Sequence, residues 1–525
     1  MANRALLGPK KIFFDRIFER SYWTWRRHPL MIVPSMLGTA LSLIEQSTVT
    51  LAAMVVLTTL AANGLLPGFL ASLIQPGGIL EVFNDPLYRV TLLSAAIVST
   101  VVVLLVVVIG GGFVYSAEYS IYLEAWNHDM TSFSSIIEKG RRYWKPMAWT
   151  FFLANLITWG PVILAYGIVL VAATSARTLQ GIFILLVSSY FLEFALLGSL
   201  ILALFTIYAY PAVVVSQTSG MRAIKNSFRV ASHNLGTTFT YAAVRVIFQV
   251  LLTAVVLSAG MIGIPLASFS AAILTLVLTP ILHSTKTMIY YFAEPDVPEV
   301  PFQLSNPIWR DIARRLPRSG WLKIKAGLVE TGKFLTDLRS TIFHLSSILG
   351  LIVGILLGIY VANNGIVSFL LSHGYRQGRI NPLVLQTVPP ILGLDIFLNN
   401  WLVSIATGLA GLGFGVPSFA TIMFNGFLLG IVLQLSPTIT MFNAAILPHG
   451  IIEIPSFILA GSTGIKLGYA ALKAKLSPSD ENYDYLSKVL RQTVYVLVGL
   501  APLFFIAGLI EADLTPTIMR MFGWT

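Results

Sequence analysis

One histidine and one glutamate stand four residues apart in the apolar stretch Leu447-Pro448-His449-Gly450-Ile451-Ile452-Glu453-Ile454-Pro455. Residues at this spacing share one face of a helix, so the His449 imidazole and the Glu453 carboxylate are expected side by side. Such a pair can carry protons, bind a cation or ligate a metal. Ionisable groups are costly inside a membrane and indicate function where they occur. The flanking Pro448 and Pro455 remove helical hydrogen bonds, as in the interrupted helices of transporters.

Four further polar residues are expected near the same outer level of the membrane once the apolar segments are threaded through it. They are Glu511, Asn399, Asn400 and Asn425. Polar groups at this depth must pair with one another or face water. One interpretation is a shared polar site formed with His449 and Glu453. In the alternative, each side chain satisfies a backbone group at a nearby broken helix end.

Signatures of common enzyme classes are absent, since the sequence contains no GxxxxGK[ST] loop, no HExxH pair and no GxSxG elbow. Cysteine is absent as well, which excludes disulfides, thiolate ligands and thiol nucleophiles. We therefore expect no catalytic residue, no metal site and no cofactor, and interpret the protein as not an enzyme. A metal-dependent membrane enzyme is the minor alternative. It would need further ligands from Glu511, Asp395, His373 or the asparagines.

The elements that carry these residues are expected to be membrane helices. Hydrophobic residues make up 56% of the 525 positions and charged residues 11%, whereas soluble domains have about a quarter of their residues charged. Apolar runs of about 20 residues, enough to cross a bilayer, recur along the chain. The sequence predicts an all-α polytopic integral membrane helix bundle with about eleven transmembrane helices, six in the first half and five in the second. The expected spans are 30–62, 90–115, 147–173, 182–209, 238–259, 264–290, 342–362, 396–414, 417–436, 440–463 and 491–511.

Lysine and arginine are concentrated in a few segments between the apolar runs, and the net charge is +11. By the positive-inside rule these segments face the cytoplasm. The N-terminus is therefore predicted to be cytoplasmic and the C-terminus extracytoplasmic, in the plasma membrane. The basic segments indicate contact with membrane lipids, and no nucleic-acid partner is expected.

A proline-rich stretch that begins at Glu294, followed by a basic segment, predicts the domain boundary. The expected domains are a six-helix membrane domain over 1–293, a cytoplasmic linker over 294–340 and a five-helix membrane domain over 341–525. Within the first domain, residues 1–29 are basic, aromatic and amphipathic, which is typical of a helix that lies on the membrane surface.

Small residues spaced four apart predict close helix packing in the second half. Two groups show this spacing: Gly350, Gly354 and Gly358 in one span, and Gly426 and Gly430 in another. In the first half, Glu193 and Arg245 lie within expected spans and would neutralise each other as an intramembrane ion pair.

An ordered set of motifs runs through the second half. It comprises Asn399-Asn400, Asn425-Gly426 with Gly430, Pro448-His449-Gly450-Ile451-Ile452-Glu453 with Ile454-Pro455, Ala460-Gly461 with Gly464, Lys466-Leu467-Gly468, and Ile510-Glu511 with Pro516. On this set, residues from about 330 to 525 resemble the stage II sporulation protein M family of integral membrane proteins. Residues of about 200–260 loosely resemble the membrane domain found beside bacterial glycerophosphodiester phosphodiesterases, without any catalytic residues.

The family resemblance implies a five-helix membrane module that serves an envelope assembly. In sporulating bacteria the family member acts with peptidoglycan-degrading partners at the engulfing membrane. We therefore expect a non-enzymatic scaffold whose partners are other envelope or membrane proteins, and a homo-oligomer is compatible with the sequence. The alternative is a transporter or channel for a small solute, an ion or a lipid, with the outer polar residues as its site. A water-accessible cavity that reaches Glu453 would favour transport.

Overall fold

The structure is a computed structural model, which describes residues 14–75, 84–127, 131–174, 179–261, 265–294, 316–373 and 389–524. The regular secondary structure within these ranges is helical throughout, with no β-strand. Helices are the form in which a long apolar segment pairs its own backbone N–H and C=O groups, as a membrane requires. The expected all-α fold class is confirmed.

The α-helices are numbered here in chain order. In the described part of the first half they are α1 (Phe14–Arg27), α2 (Ile32–Ala62), α3 (Leu66–Ile74), α4 (Pro86–Asn127), α5 (Phe133–Thr174), α6 (Leu179–Thr206), α7 (Ala209–Val215), α8 (Met221–His233), α9 (Leu235–Met261), α10 (Ala267–Ile273) and α11 (Thr279–Ala293). In the described part of the second half they are α12 (Leu316–Thr336), α13 (Thr341–Val361), α14 (Val367–Ser372), α15 (Pro389–Leu409), α16 (Val416–Leu435), α17 (Ile439–Leu476), α18 (Asp480–Gly499), α19 (Ala501–Leu509) and α20 (Thr515–Met521).

Eleven helical segments of the described residues are long and apolar enough to cross a membrane, as the sequence predicts. They are Pro29–Ala62, Pro86–Asn127, Phe133–Val169, Leu186–Val215, Leu235–Met261, Ala267–Ala293, Leu338–Ser372, Pro390–Leu412, Val416–Leu435, Ile439–Leu476 and Asp480–Met521. Many of their leucine, valine and isoleucine side chains are exposed, as lipid-facing residues should be. The chain is a multi-pass membrane protein.

Helix α1 covers the described part of the amphipathic segment expected over 1–29, whereas residues 1–13 lie outside the described residues. It carries charged residues on one side and buries Tyr22 and Trp25 on the other. The Arg20 guanidinium lies 4.4 Å from the centre of the Trp126 ring at the end of α4. This cation–π contact joins α1 to α4.

The contacts divide the chain into two compact units whose segments alternate along the sequence, unlike the expected domains 1–293, 294–340 and 341–525. The first unit consists of 1–35, 107–251 and 277–303, and the second of 36–106, 252–276 and 304–525. Part of the expected linker, residues 295–315, lies outside the described residues. The part that follows forms α12, where a Cβ added at Gly327 would meet the backbone of Gly499 in α18.

Apolar packing explains why α2 and α3 belong to the second unit. Leu60 and Leu66 are fully buried in one hydrophobic cluster with Val361 of α13 and Phe427 of α16. Helix propensity and hydrophobic periodicity describe one helix at a time, so they do not show that an early helix packs against a late one. The packing of α2 and α3 therefore does not follow chain order, and the expected domain boundaries stay a prediction.

The segment 252–276 is also joined to the second unit by a polar contact. The Ser268 backbone N–H at the start of α10 donates to Asp395 Oδ1 on α15 over 3.0 Å. Asp395 was one of the possible further metal ligands in the sequence, and here its carboxylate accepts a backbone hydrogen bond instead.

Helices α13 and α16 approach each other along their glycines. A Cβ added at these positions would meet carbonyl groups of the opposite helix: Gly354 against Met423, Gly358 against Phe427, Gly426 against Leu351 and Gly430 against Ile355. At Gly350 it would lie 3.0 Å from the ring of Phe419. Backbones this close leave no room for a side chain, which is the physical use of such spacing.

Candidate functional site

Helix α17 carries the histidine–glutamate pair. It runs for 38 residues and contains both Pro448 and Pro455 without ending at either. Each proline lacks an N–H group, so the helix loses a backbone hydrogen bond just before and just after the pair. His449 and Glu453 lie one turn apart and both are partly buried.

The third side chain of the candidate site comes from the end of the last described membrane span. Glu511 lies in a single π-helical turn, Ile510–Leu514, which separates α19 from α20. Such turns insert a residue into a helix and occur often at functional sites. The first residue of α20, Thr515, is buried, and its Oγ1 lies 3.2 Å from His449 Nδ1.

The structure brings His449, Glu453 and Glu511 together. One ligand atom from each side chain can be chosen so that all three lie within 4.8 Å of one another. Asn400 Nδ2 on α15 donates to Glu453 Oε1 over 3.0 Å. The other carboxylate oxygen, Glu453 Oε2, is buried and accepts no hydrogen bond from the described residues. A buried acceptor without a partner is costly, so this oxygen indicates a place for a donor or a cation.

An imidazole and two carboxylates form a donor set that suits a cation. Zinc and other divalent metals take nitrogen and carboxylate oxygen ligands, and three protein ligands leave a coordination position open. Two ionised carboxylates this close repel each other, and either a bound cation or a proton shared between them would relieve that repulsion. No metal site was expected from the sequence, because it contains none of the common signatures of metal-dependent enzymes.

A cavity of about 170 Å³ adjoins the site. His449, Glu453 and Asn425 supply its polar wall, and apolar side chains of α13, α16 and α17 supply most of the rest. The volume is smaller than the roughly 300–1,000 Å³ of pockets that hold drug-sized ligands. It has room for an ion and a few water molecules, but not for a lipid.

The remaining asparagines of the expected site are placed differently. Asn399 is exposed, and its Nδ2 donates to Asn400 Oδ1 over 3.2 Å. Asn425 lines the cavity, but its Nδ2 donates to the Thr421 carbonyl of its own helix over 2.8 Å. Asn400 is therefore the amide that contacts the carboxylate directly.

The ion pair expected between Glu193 and Arg245 is not formed by the described residues. Both side chains are exposed, Glu193 on α6 and Arg245 on α9, and no ion pair joins them. Both residues were expected at a similar depth in the membrane, but a similar depth does not show that two side chains are in contact.

A polar cluster that the sequence analysis did not single out lies inside the first unit. Glu118 Oε1 on α4 accepts from Tyr122 Oη over 2.9 Å and lies 3.0 Å from His283 Nδ1 on α11. One turn along α11, the buried Lys286 ammonium lies 4.9 Å from the centre of the Tyr119 ring. The sequence did indicate such a cluster, because His283 and Lys286 are two basic residues within one expected apolar span and need polar partners there.

The site lies wholly within a segment that matches a known family. The family described as Stage II sporulation protein M matches residues 343–516, which include His449, Glu453, Glu511 and Asn400. Uncharacterized protein MJ0793 of Methanocaldococcus jannaschii is 31% identical over 134 residues, which cover 24% of this chain and 71% of that protein. Uncharacterized protein MJ0706 of the same organism is 27% identical over 132 residues, covering 24% of this chain and 59% of that protein.

No solved structure matches the chain. The resemblance of the first half to a phosphodiesterase-associated domain stays a prediction. The identity to Uncharacterized protein MJ0793 and the coverage of that protein support the family match. The chain belongs to the stage II sporulation protein M family.

Proposed function

We propose that this membrane protein is a cation-coupled transporter or channel, and that the cation binds between His449, Glu453 and Glu511. The observation that carries the proposal is the convergence of their ligand atoms within 4.8 Å. Three ionisable groups from two distant parts of the chain meet inside a membrane bundle. Structural helix packing alone has no need of such an arrangement.

Electrostatics favour a cation at this position. Two carboxylates at this distance repel each other strongly where water is scarce, and a proton or a metal ion between them removes the repulsion. The partnerless Glu453 Oε2 and the adjoining cavity of about 170 Å³ support the same interpretation. The sequence is compatible with a small solute, an ion or a lipid as the transported species, and the size of the cavity favours the ion.

Each neighbour has a distinct part in this proposal. Asn400 orients the Glu453 carboxylate through the bond to Oε1, and Thr515 orients the His449 ring. The π-helical turn presents Glu511 toward α17. With the N-terminus in the cytoplasm, as the basic segments predict, the site lies toward the outer leaflet of the plasma membrane.

The test is a flux measurement on the full-length protein in sealed liposomes. An imposed gradient drives either protons, read by a trapped pH dye, or Mn²⁺, read by a trapped metal-sensitive dye. We expect the wild type to exceed empty liposomes with at least one of the two ions. Glu453→Gln should fall to the rate of empty liposomes, because the neutral amide no longer attracts the cation.

Glu193→Gln is the matched control, since it removes an exposed membrane carboxylate far from the site in sequence. It should keep the wild-type rate. Wild-type rates equal to those of empty liposomes with both ions, or equal rates for Glu453→Gln and wild type, would refute the proposal. The response to protons or to Mn²⁺ identifies the ion.

The second candidate is a non-enzymatic scaffold of a cell-envelope complex. The close contact of α13 and α16 favours it, because their glycines leave no path between these two helices. In this case flux is absent, and a crosslinking experiment in the native membrane should join the outer loops to other envelope proteins. That the protein is not an enzyme stays a prediction.

A further inference from the structure

A second cavity, of about 760 Å³, lies in the second unit away from the cation site. Its lining comes from the end of α12, the start of α13, the C-terminal part of α17 and α18. One membrane span ends here and two begin, so the cavity lies at one surface of the membrane. Its residue Lys466 is 17 residues after His449 in the same helix, which corresponds to about 25 Å along the axis.

The floor of this cavity is a buried ammonium group. Lys466 Nζ donates to Ser340 Oγ over 3.0 Å and to Gln492 Oε1 over 2.8 Å, and lies 3.7 Å from Asp337 Oδ2. The Ser340 hydroxyl donates to Asp337 Oδ2 over 2.9 Å, and this hydrogen bond lowers the pKa of Asp337. Asp337 therefore stays ionised and, with its neighbours, holds the lysine in one position.

The rim of the cavity carries cations with fewer partners. Arg339 and Arg491 are exposed, and neither guanidinium forms an ion pair within the described residues. Arg491 lies over the Tyr495 ring at 5.2 Å, whereas the nearby Lys488 is paired with Asp484 at 2.7 Å. The lining has four cationic side chains and two carboxylates, so it is positive as a whole.

Part of the remaining wall is apolar and reaches the outside of the bundle. Ile342 and Phe343 line the cavity at the start of α13, and Ile342 is 62% exposed. In a membrane such a side chain faces acyl chains. The cavity thus combines a positive rim with an apolar edge beside lipid.

We propose that this cavity binds the phosphate headgroup of an anionic phospholipid. The phosphate oxygens accept from Arg339 and Arg491, whose planar guanidinium groups match phosphate geometry. Lys466 adds positive charge from below, and the acyl chains lie along Ile342 and Phe343. The binding holds α12, α13 and α18 together at the membrane surface, separately from the cation site.

Isothermal titration calorimetry of the full-length protein in neutral detergent tests this assignment. The ligand is dioctanoyl phosphatidylglycerol, with dioctanoyl phosphatidylcholine and glycerol 3-phosphate as comparison ligands. We expect one phosphatidylglycerol site and weaker binding of both comparison ligands, since one has a neutral headgroup and the other lacks chains. Arg339→Gln and Arg491→Gln should each weaken binding about tenfold, by loss of a charge-assisted hydrogen bond.

Arg318→Gln is the matched control, because Arg318 is exposed on α12 and does not line the cavity. It should bind phosphatidylglycerol as the wild type does. Three results would each overturn the proposal: equal binding of phosphatidylcholine, glycerol 3-phosphate binding as tightly as the lipid, or the same affinity in the cavity variants and the control. Elution of the variants as single peaks from gel filtration shows that they are folded.

Discussion

Glu511→Gln gives the most direct test of the cation site, because it removes one charge and keeps the shape of the side chain. The ligand atoms of Glu511 and Glu453 lie within 4.8 Å. At this separation and an effective dielectric constant of about 20, two unit charges interact with about 3 kcal/mol. A cation bound beside Glu453 would lose at least that attraction, and a divalent ion more. Its dissociation constant should therefore rise at least about 100-fold.

The assay is calorimetric titration of the full-length protein in detergent with Zn²⁺, an ion suited to imidazole and carboxylate ligands. Glu193→Gln removes a carboxylate from an exposed position on α6 and should leave the affinity unchanged. Zn²⁺ binding to Glu511→Gln with wild-type affinity would refute the geometric reasoning. So would an equal loss in Glu193→Gln, since the effect would then follow net charge and not position.

Three further predictions concern the neighbours of the site and the fold. Asn400→Leu should weaken Zn²⁺ binding about 10- to 100-fold in the same titration, because Glu453 loses the donor that orients it. Gly354→Ala should destabilise the protein by about 1–3 kcal/mol in thermal unfolding, since the added Cβ would meet the Met423 carbonyl. Gly38→Ala is the control and should not destabilise the protein, because a Cβ at Gly38 meets no atom within 4 Å. Residues 1–294 and 316–525, expressed together as two chains, should co-purify. Residues 316–525 expressed alone should be degraded, because Leu60 and Leu66 no longer cover α13 and α16. Stable accumulation of 316–525 alone would contradict the packing.

The membrane spans could be predicted from the sequence because they depend on local composition. A run of about 20 apolar residues has few alternatives to a membrane helix, so each expected span overlaps the observed one. The His449–Glu453 pair was also predictable, since both residues share one helix face. Glu511 joined the expected site because threading placed the end of the last span at the same level.

Other contacts depended on side-chain direction, which composition does not contain. Glu193 and Arg245 lie in spans as expected, yet both side chains are exposed and form no ion pair with each other within the described residues. Thr515 gave no signal, because a threonine at the start of a short helix is ordinary until its hydroxyl is seen 3.2 Å from an imidazole. His283 and Lys286 did give a signal, since two basic groups within one apolar span need a partner. Glu118 supplies it for His283 from a helix more than 150 residues earlier.

The first half of the chain is more than an addition to the family module. Residues 343–516 match the family and contain the residues of the proposed cation site, but α2 and α3 lie outside that match. These helices nevertheless bury Leu60 and Leu66 against Val361 and Phe427. Phe427 follows Gly426, whose missing side chain lets α16 approach α13 beside the cavity. A change in the packing of α2 and α3 would therefore act on the helices that line the site, which gives the first half a physical route to influence it.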